Sequence, residues 1–165
     1  MKISIIGLGS VGKAAELGLA EYYEVSGYDI DGRGDWQDVL SSELTFVCVN
    51  TDAAEDSKLD MSNIIAVCSK LSEDEYNGLV VVKSTLHPGT MRKMETEHPR
   101  LRLTYMPEFL REKDAVEWFA DPDRLVISGK HEDVEIALSC FDWVPDSIPR
   151  LRMNHLEAEL GKLAH

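Results

Sequence analysis

Three glycines and an aspartate near the start of the chain are spaced to hold two nucleotides joined through a pyrophosphate. Gly7, Gly9 and Gly12 fall in Gly7-Leu8-Gly9-Ser10-Val11-Gly12, and Asp29 follows 20 residues after Gly9. The first glycine lets the chain turn sharply. The second lets the backbone approach a pyrophosphate, and the third lets a helix pack close to a strand. A helix starting there offers unpaired N–H groups and a partial positive charge to phosphate. A carboxylate at Asp29 accepts from both hydroxyls of a ribose and repels a 2′-phosphate, which selects NAD over NADP. Arg33 either covers the adenine and phosphate region or is an exposed loop residue.

These residues act only if strand and helix present them in the right order, and the patterning supplies that order. Apolar runs predict strands over Lys2–Ile6, Glu24–Tyr28, Leu44–Asn50, Leu79–Ser84, Leu101–Tyr105, Arg124–Ser128 and Arg150–Met153. Helical patterns lie between them, at Lys13–Tyr22, Asp35–Leu40, Met61–Leu71, Met91–Glu97, Asp114–Phe119 and Glu132–Cys140. Alternation of this kind implies an α/β fold: a doubly wound, mostly parallel Rossmann sheet of six to seven strands with helices on both faces. Strands covered on both sides read as continuous apolar runs, as several of these do. The expected division is a nucleotide-binding domain over residues 1–153. Residues 154–165 would then begin a helix leading to a second half. In that helix Asn154 is a candidate N-cap, and Leu156, Leu160 and Leu163 recur at helical spacing. A helix that short, facing nothing, is marginal alone, so the chain is expected to be an N-terminal piece of something longer.

Ligands in such sheets bind beyond the carboxyl ends of the strands. The residues falling there include Asn50-Thr51, Ser84-Thr85 and Pro107-Glu108-Phe109-Leu110-Arg111-Glu112. Glu108 and Glu112 are four apart, so on a helical turn they would share a face.

At this point the sequence resembles the nucleotide-sugar 6-dehydrogenases, nearest to those acting on UDP-glucose. The resemblance rests on the glycine fingerprint, on VVVKSTLHPGT at Val80–Thr90, on PEFLRE at Pro107–Glu112 with DPDRLVISG at Asp121–Gly129, and on EAELGKLAH at Glu157–His165. It implies NAD-dependent oxidation of a sugar C6 alcohol to a carboxylate, through a thioester on a cysteine. By that resemblance Thr85 positions water or substrate, and Glu108 is the base in thioester hydrolysis. Glu112 lies near nicotinamide and substrate, while Lys162 contacts the sugar and stabilises an oxyanion. Glu108, Phe109, Leu110, Arg111, Glu112 and Lys162 form the implied substrate set. The implied cofactor set is Gly7, Leu8, Gly9, Ser10, Val11, Gly12, Asp29, Asn50, Thr51, Ser84, Thr85 and Glu112. The general chemistry suits these roles, since a carboxylate can take a proton from water and an ammonium can stabilise an oxygen gaining charge. The chain departs from the family at Met106, where Asn is usual. It departs again at Asp52, where Pro usually follows the Thr, and at Leu86-His87 after the Lys-Ser-Thr motif. The family cysteine and nucleotide half have no counterpart in these residues.

Composition narrows the partners. The 165 residues carry a formal net charge of −13, which argues against nucleic acid and anionic membranes. No apolar run approaches a membrane span. Cys48, Cys68 and Cys140 are odd in number and lack metal-like spacing, which suits reduced thiols and a cytoplasmic location. No histidine pattern suggests a metal. The implied partners are a nucleotide sugar, UDP-glucose ahead of GDP-mannose, and a second copy in the full-length enzyme. Two other readings stay open: a short NAD(P)-dependent 3-hydroxyacid or imine reductase, and a non-catalytic NAD-binding module.

Overall fold

The computed structural model describes residues 1–165. The strands are β1 (Lys2–Ile6), β2 (Glu24–Tyr28), β3 (Leu44–Val47), β4 (Leu79–Val82), β5 (Arg102–Tyr105), β6 (Leu125–Ser128) and β7 (Arg150–Met153). They form one sheet in the order β2-β1-β3-β4-β5-β6-β7. The first five run parallel. The sixth is antiparallel to β5, which it meets at Tyr105 and Ser128, and β7 is parallel to β6. The helices are α1 (Ser10–Ala20), α2 (Trp36–Leu40), α3 (Ser62–Glu73), α4 (Thr90–Glu97), α5 (Ala115–Ala120), α6 (His131–Ser139) and α7 (His155–Ala164). A short 3₁₀ turn, Glu112–Asp114, leads into α5.

Strand side chains alternate between faces, and the core divides accordingly. Ile3, Ile5, Leu44, Phe46, Leu79 and Val81 face a cluster completed by residues of α1, α5 and α6. Ile6, Val47, Val80, Val82, Leu103 and Tyr105 face the other way, against α2, α3, α4 and Ala158 of α7. The sheet is thus doubly wound, with helices on both faces. No helix is long and apolar enough to cross a membrane.

Two strands end sooner than their apolar runs suggest. Past Val47 and Val82 a single backbone bond continues each ladder, from Cys48 N–H to Ile6 and from Lys83 N–H to Val47, and beyond these side chains take over the hydrogen bonding. The Ser84 hydroxyl donates to the Val49 carbonyl at 2.7 Å, and the Thr51 hydroxyl to the Thr85 carbonyl at 2.7 Å. These bonds lace the β3 and β4 exits together at the carboxyl edge. At the other end of the sequence, α7 has the expected Asn154 cap, reciprocated by Glu157. The expectation that this helix has nothing to face is corrected. It docks through Ala158 and Glu159, both fully buried, while Leu156, Leu160 and Leu163 stay exposed.

Candidate active site

The site begins with the turn from β1 into α1. Gly7 has φ +90°, and a Cβ there would stand 2.8 Å from the carbonyl carbon and oxygen of Cys48. At Gly12 a Cβ would lie 1.7 Å from the Gly7 carbonyl oxygen, so only glycine lets α1 start this close to β1. The helix begins without a side-chain cap and without an acidic residue in its first turn. Its free N–H groups and positive dipole end are therefore open to an anion. Asp29, at the end of β2, accepts the Leu8 N–H at 2.8 Å and the Asp31 N–H at 3.2 Å. Arg33 lies 3.6 Å from Asp29 and 2.8 Å from Asp31, and its guanidinium also donates to the Leu8 carbonyl at 3.3 Å.

Two clefts adjoin this turn and share Gly9, Cys48, Val49 and Asn50. One, of about 420 Å³, is bounded by Tyr28, Asp29, Ile30, Arg33 and Trp36. The other, of about 410 Å³, holds Ser10, Thr51, Ser84, Thr85, Glu112 and Lys162, with Glu108 and Lys83 at its wall. Together they flank the α1 N-terminus, where a two-part ligand joined through phosphates could reach both.

The second cleft gathers most of the reactive residues expected from sequence: Thr85, Glu108, Leu110, Glu112 and Lys162 all line it. Phe109 and Arg111 do not. The Phe109 ring lies beneath the Lys162 ammonium and the Arg124 guanidinium, and Arg111 stacks over Trp118. Leu8 and Gly12 line neither cleft; they build the turn. The expected helical pairing of Glu108 with Glu112 is corrected. The chain from Pro107 to Arg111 is irregular, and helical geometry starts only at Glu112. Side chains take backbone groups that a helix would pair: the Glu108 carboxylate takes the Phe109 N–H and Lys162 the Glu108 carbonyl.

The partner of Glu108 is instead Lys83. Its ammonium lies 3.0 Å from Glu108 Oε2, with the Lys83 side chain only 3% exposed. It also donates to the Met106 carbonyl at 3.4 Å and sits about 6 Å from the ring centres of Phe46, Phe119 and Phe141. The other Glu108 oxygen accepts the Phe109 N–H at 3.0 Å. Lys162 reaches in from α7 and donates to the Glu108 carbonyl. Burial depresses the Lys162 ammonium's pKa, and Lys83 and Arg124 add to that, against the opposing pull of Glu108. Cys48 lies beneath both clefts. Burial pushes its thiol up to about 12, so at neutral pH it is protonated and a poor nucleophile.

Sequence reading gave no role to Lys83 or Glu159. Lys83 carried a usable signal. It continues the odd-numbered alternation of Leu79 and Val81, and so points into the aromatic core.

Comparisons with known proteins give the family. Residues 33–141 match the model of the UDP-glucose/GDP-mannose dehydrogenase family, NAD binding domain. The chain belongs to that family and is an NAD-binding domain of it. A UDP-glucose 6-dehydrogenase of Pseudomonas aeruginosa is 31% identical over 76% of this chain and 31% of its own length. An uncharacterised Methanocaldococcus jannaschii protein, MJ1054, is 28% identical over 99% of this chain and 23% of its own length. Among solved structures, a UDP-glucose dehydrogenase from Pyrobaculum islandicum superposes with TM-score 0.86 at 28% identity. That match covers 99% of this chain and 48% of the other. The fold is shared equally by GDP-mannose dehydrogenase of Pseudomonas aeruginosa, with TM-score 0.86 at 24% identity, 99% of this chain and 49% of that one. The chain therefore spans about half the length of these solved structures and less than a third of the curated relatives.

Proposed function

We propose that the chain is the cofactor half of an NAD-dependent nucleotide-sugar 6-dehydrogenase, with UDP-glucose as the preferred substrate. The observation that carries this reading is the meeting of Thr85, Glu108, Glu112 and Lys162 around one cleft, beside the open N-terminus of α1. The glycine turn fits NAD: it clears backbone space at Gly7 and Gly12, leaves α1 uncapped, and sets Asp29 at the rim of the cleft proposed for adenosine. Bound there, NAD supplies a hydride acceptor for oxidation at the sugar C6.

The chain's own residues do the rest. Thr85 orients water or substrate at the reacting carbon, and Lys162 stabilises the oxygen that gains charge. Glu108 serves as base in the hydrolytic step, held by Lys83 and by the Phe109 amide. The nucleophilic cysteine comes from outside these residues, because Cys48, Cys68 and Cys140 are buried and their thiols are pushed up to about 12. Residues 1–153 form the cofactor unit, and 154–165 start the helix toward the second half. The complete enzyme works as a homodimer in the cytoplasm.

Calorimetric titration of the 165-residue chain with NAD, followed by an assay with UDP-glucose, tests the reading. NAD binding without NADH formation is expected. Absence of NAD binding, or turnover by this chain alone, would count against it. The substrate preference is checked on the full-length enzyme, by assaying UDP-glucose and GDP-mannose in parallel: faster turnover of GDP-mannose would reverse it.

A further inference from the structure

Lys162 belongs to α7 but acts in a cleft built by other elements, so something must fix the helix against them. Glu159, three residues earlier and fully buried, is placed to do so. Its two carboxylate oxygens accept the backbone N–H groups of Gly89 at 2.7 Å and Met91 at 2.8 Å. Those amides open α4, where Gly89 is the N-cap at φ +91° and has no side-chain cap of its own. A carboxylate from α7 therefore supplies the cap that α4 lacks, at the positive end of its dipole. Gly89 and Met91 close the segment that begins at Lys83 and carries Ser84 and Thr85.

A second fastening lies one turn earlier on the same helix. The His155 ring bonds Ser128 Oγ at 2.7 Å through Nδ1 and Glu95 Oε1 of α4 at 3.0 Å through Nε2. His155, Glu159 and Lys162 are spaced i, i+4 and i+7, so they share one face of α7. The exposed leucines lie on another.

We infer that Glu159 is the positioning residue for Lys162: by capping α4 from α7 it sets where the lysine stands relative to Glu108 and Thr85. The importance of that position rests on the proposed dehydrogenase reading, but the positioning itself does not. Burial supports it: the cleft withdraws Lys162 from water, and its pKa is lowered accordingly. The charged groups facing Lys162 are Glu108 from the β5 exit, Lys83 from the β4 exit, and Arg124 ahead of β6, with Glu112 across the same cleft. None of them is altered by a change at Glu159.

The test uses the 165-residue chain and Glu159→Gln. The amide keeps the shape and loses one of two acceptors. Hydrogen exchange at whichever of Gly89 and Met91 loses its acceptor should quicken by roughly 10- to 100-fold, the range for losing a hydrogen bond to a charged group. In the same samples the Lys162 ¹³Cε resonance is followed against pH, assigned with Lys162→Arg. Its midpoint should move up toward the ordinary lysine value as α7 loosens and the ammonium gains water. Faster exchange with an unmoved Lys162 midpoint, in a chain that still unfolds cooperatively, would reduce Glu159 to a simple cap and overturn the inference. Unchanged exchange would overturn it as well. If Glu159→Gln does not fold, Glu159→Asp, one methylene shorter, should displace the midpoint in the same direction, and no displacement there refutes the positioning role. NAD titration of the native chain reports separately on the functional reading. Its failure would remove the dehydrogenase proposal and leave the Lys162 result standing.

Discussion

A buried Lys83 and a partly exposed Glu108 form an ion pair, 3.0 Å between Nζ and Oε2, at the wall of the cleft that Lys162 enters. The pair joins the exits of β4 and β5. Three phenylalanine rings surround the ammonium, so its charge has few other partners than Glu108 and the Met106 carbonyl. Removing a partner from such a pair leaves an uncompensated charge away from water.

Glu108→Leu strands the Lys83 ammonium among the rings and should destabilise the chain by about 3–5 kcal/mol, more than Lys83→Met, which leaves Glu108 partly open to the cleft. The double variant Lys83→Met/Glu108→Leu should recover most of the loss, because no lone charge remains. Urea unfolding of the native chain, both singles and the double closes the cycle. Additive losses in the double variant would mean that the two charges do not depend on each other.

Asp29→Ala should weaken NAD binding by about 10- to 100-fold, the scale of one hydrogen bond to a charged group. Discrimination against NADP should relax in the same variant. Titrating both cofactors decides it. Unchanged NAD affinity would remove Asp29 from the ribose site.

Gly12→Ala forces a Cβ to within 1.7 Å of the Gly7 oxygen unless the turn moves. Overpacking of this order costs about 1–3 kcal/mol in stability. Loss of NAD binding should accompany it, because the α1 N-terminus shifts with the turn. Thermal unfolding and NAD titration on one preparation check both effects, and native-like behaviour in both would refute the tight fit.

High pH should unfold the protein through its buried thiols and phenols. Cys48, Cys68, Cys140 and Tyr76 are each pushed up to about 12 by burial. A raised folded value means that the unfolded chain releases these protons first, so stability is full below about pH 9 and falls as pH climbs toward 12. Each thiol adds a slope approaching about 1.4 kcal/mol per pH unit in that window. Denaturant midpoints measured from pH 8 to 11 should decline, and Cys68→Ala should flatten the decline. A flat profile in the native chain would mean that the thiols ionise while folded.

The sheet was legible in the sequence because apolar runs and glycine-rich exits mark parallel strands well. β1, β2 and β7 fall where their patterns place them. The ends of β3 and β4 were not, because Cys48, Val49 and Lys83 prolong the strand alternation past the last regular pairs, where only single backbone bonds continue. Motif spacing located the cleft residues, but not who pairs with whom. Glu108 and Glu112 look like a helical pair at four residues' separation, yet the chain between them is extended and irregular. On α7 the leucine periodicity drew attention to the exposed side, whereas the buried side is held by a charge, Glu159, and by the small Ala158. Apolar periodicity does not register a helix face anchored by a carboxylate on another helix's amides.

The bond from the Leu8 amide to Asp29 ties two decisions together that are separable on paper. The side chain proposed to choose between coenzymes is also a strut of the turn proposed to receive their phosphates. A lineage drifting toward NADP could not simply exchange Asp29 for a neutral residue, since the turn would lose its support in the same step. A compensating donor–acceptor arrangement would have to arise first or alongside. On that reading a single substitution at Asp29 relaxes coenzyme discrimination only together with a loss of affinity for both coenzymes.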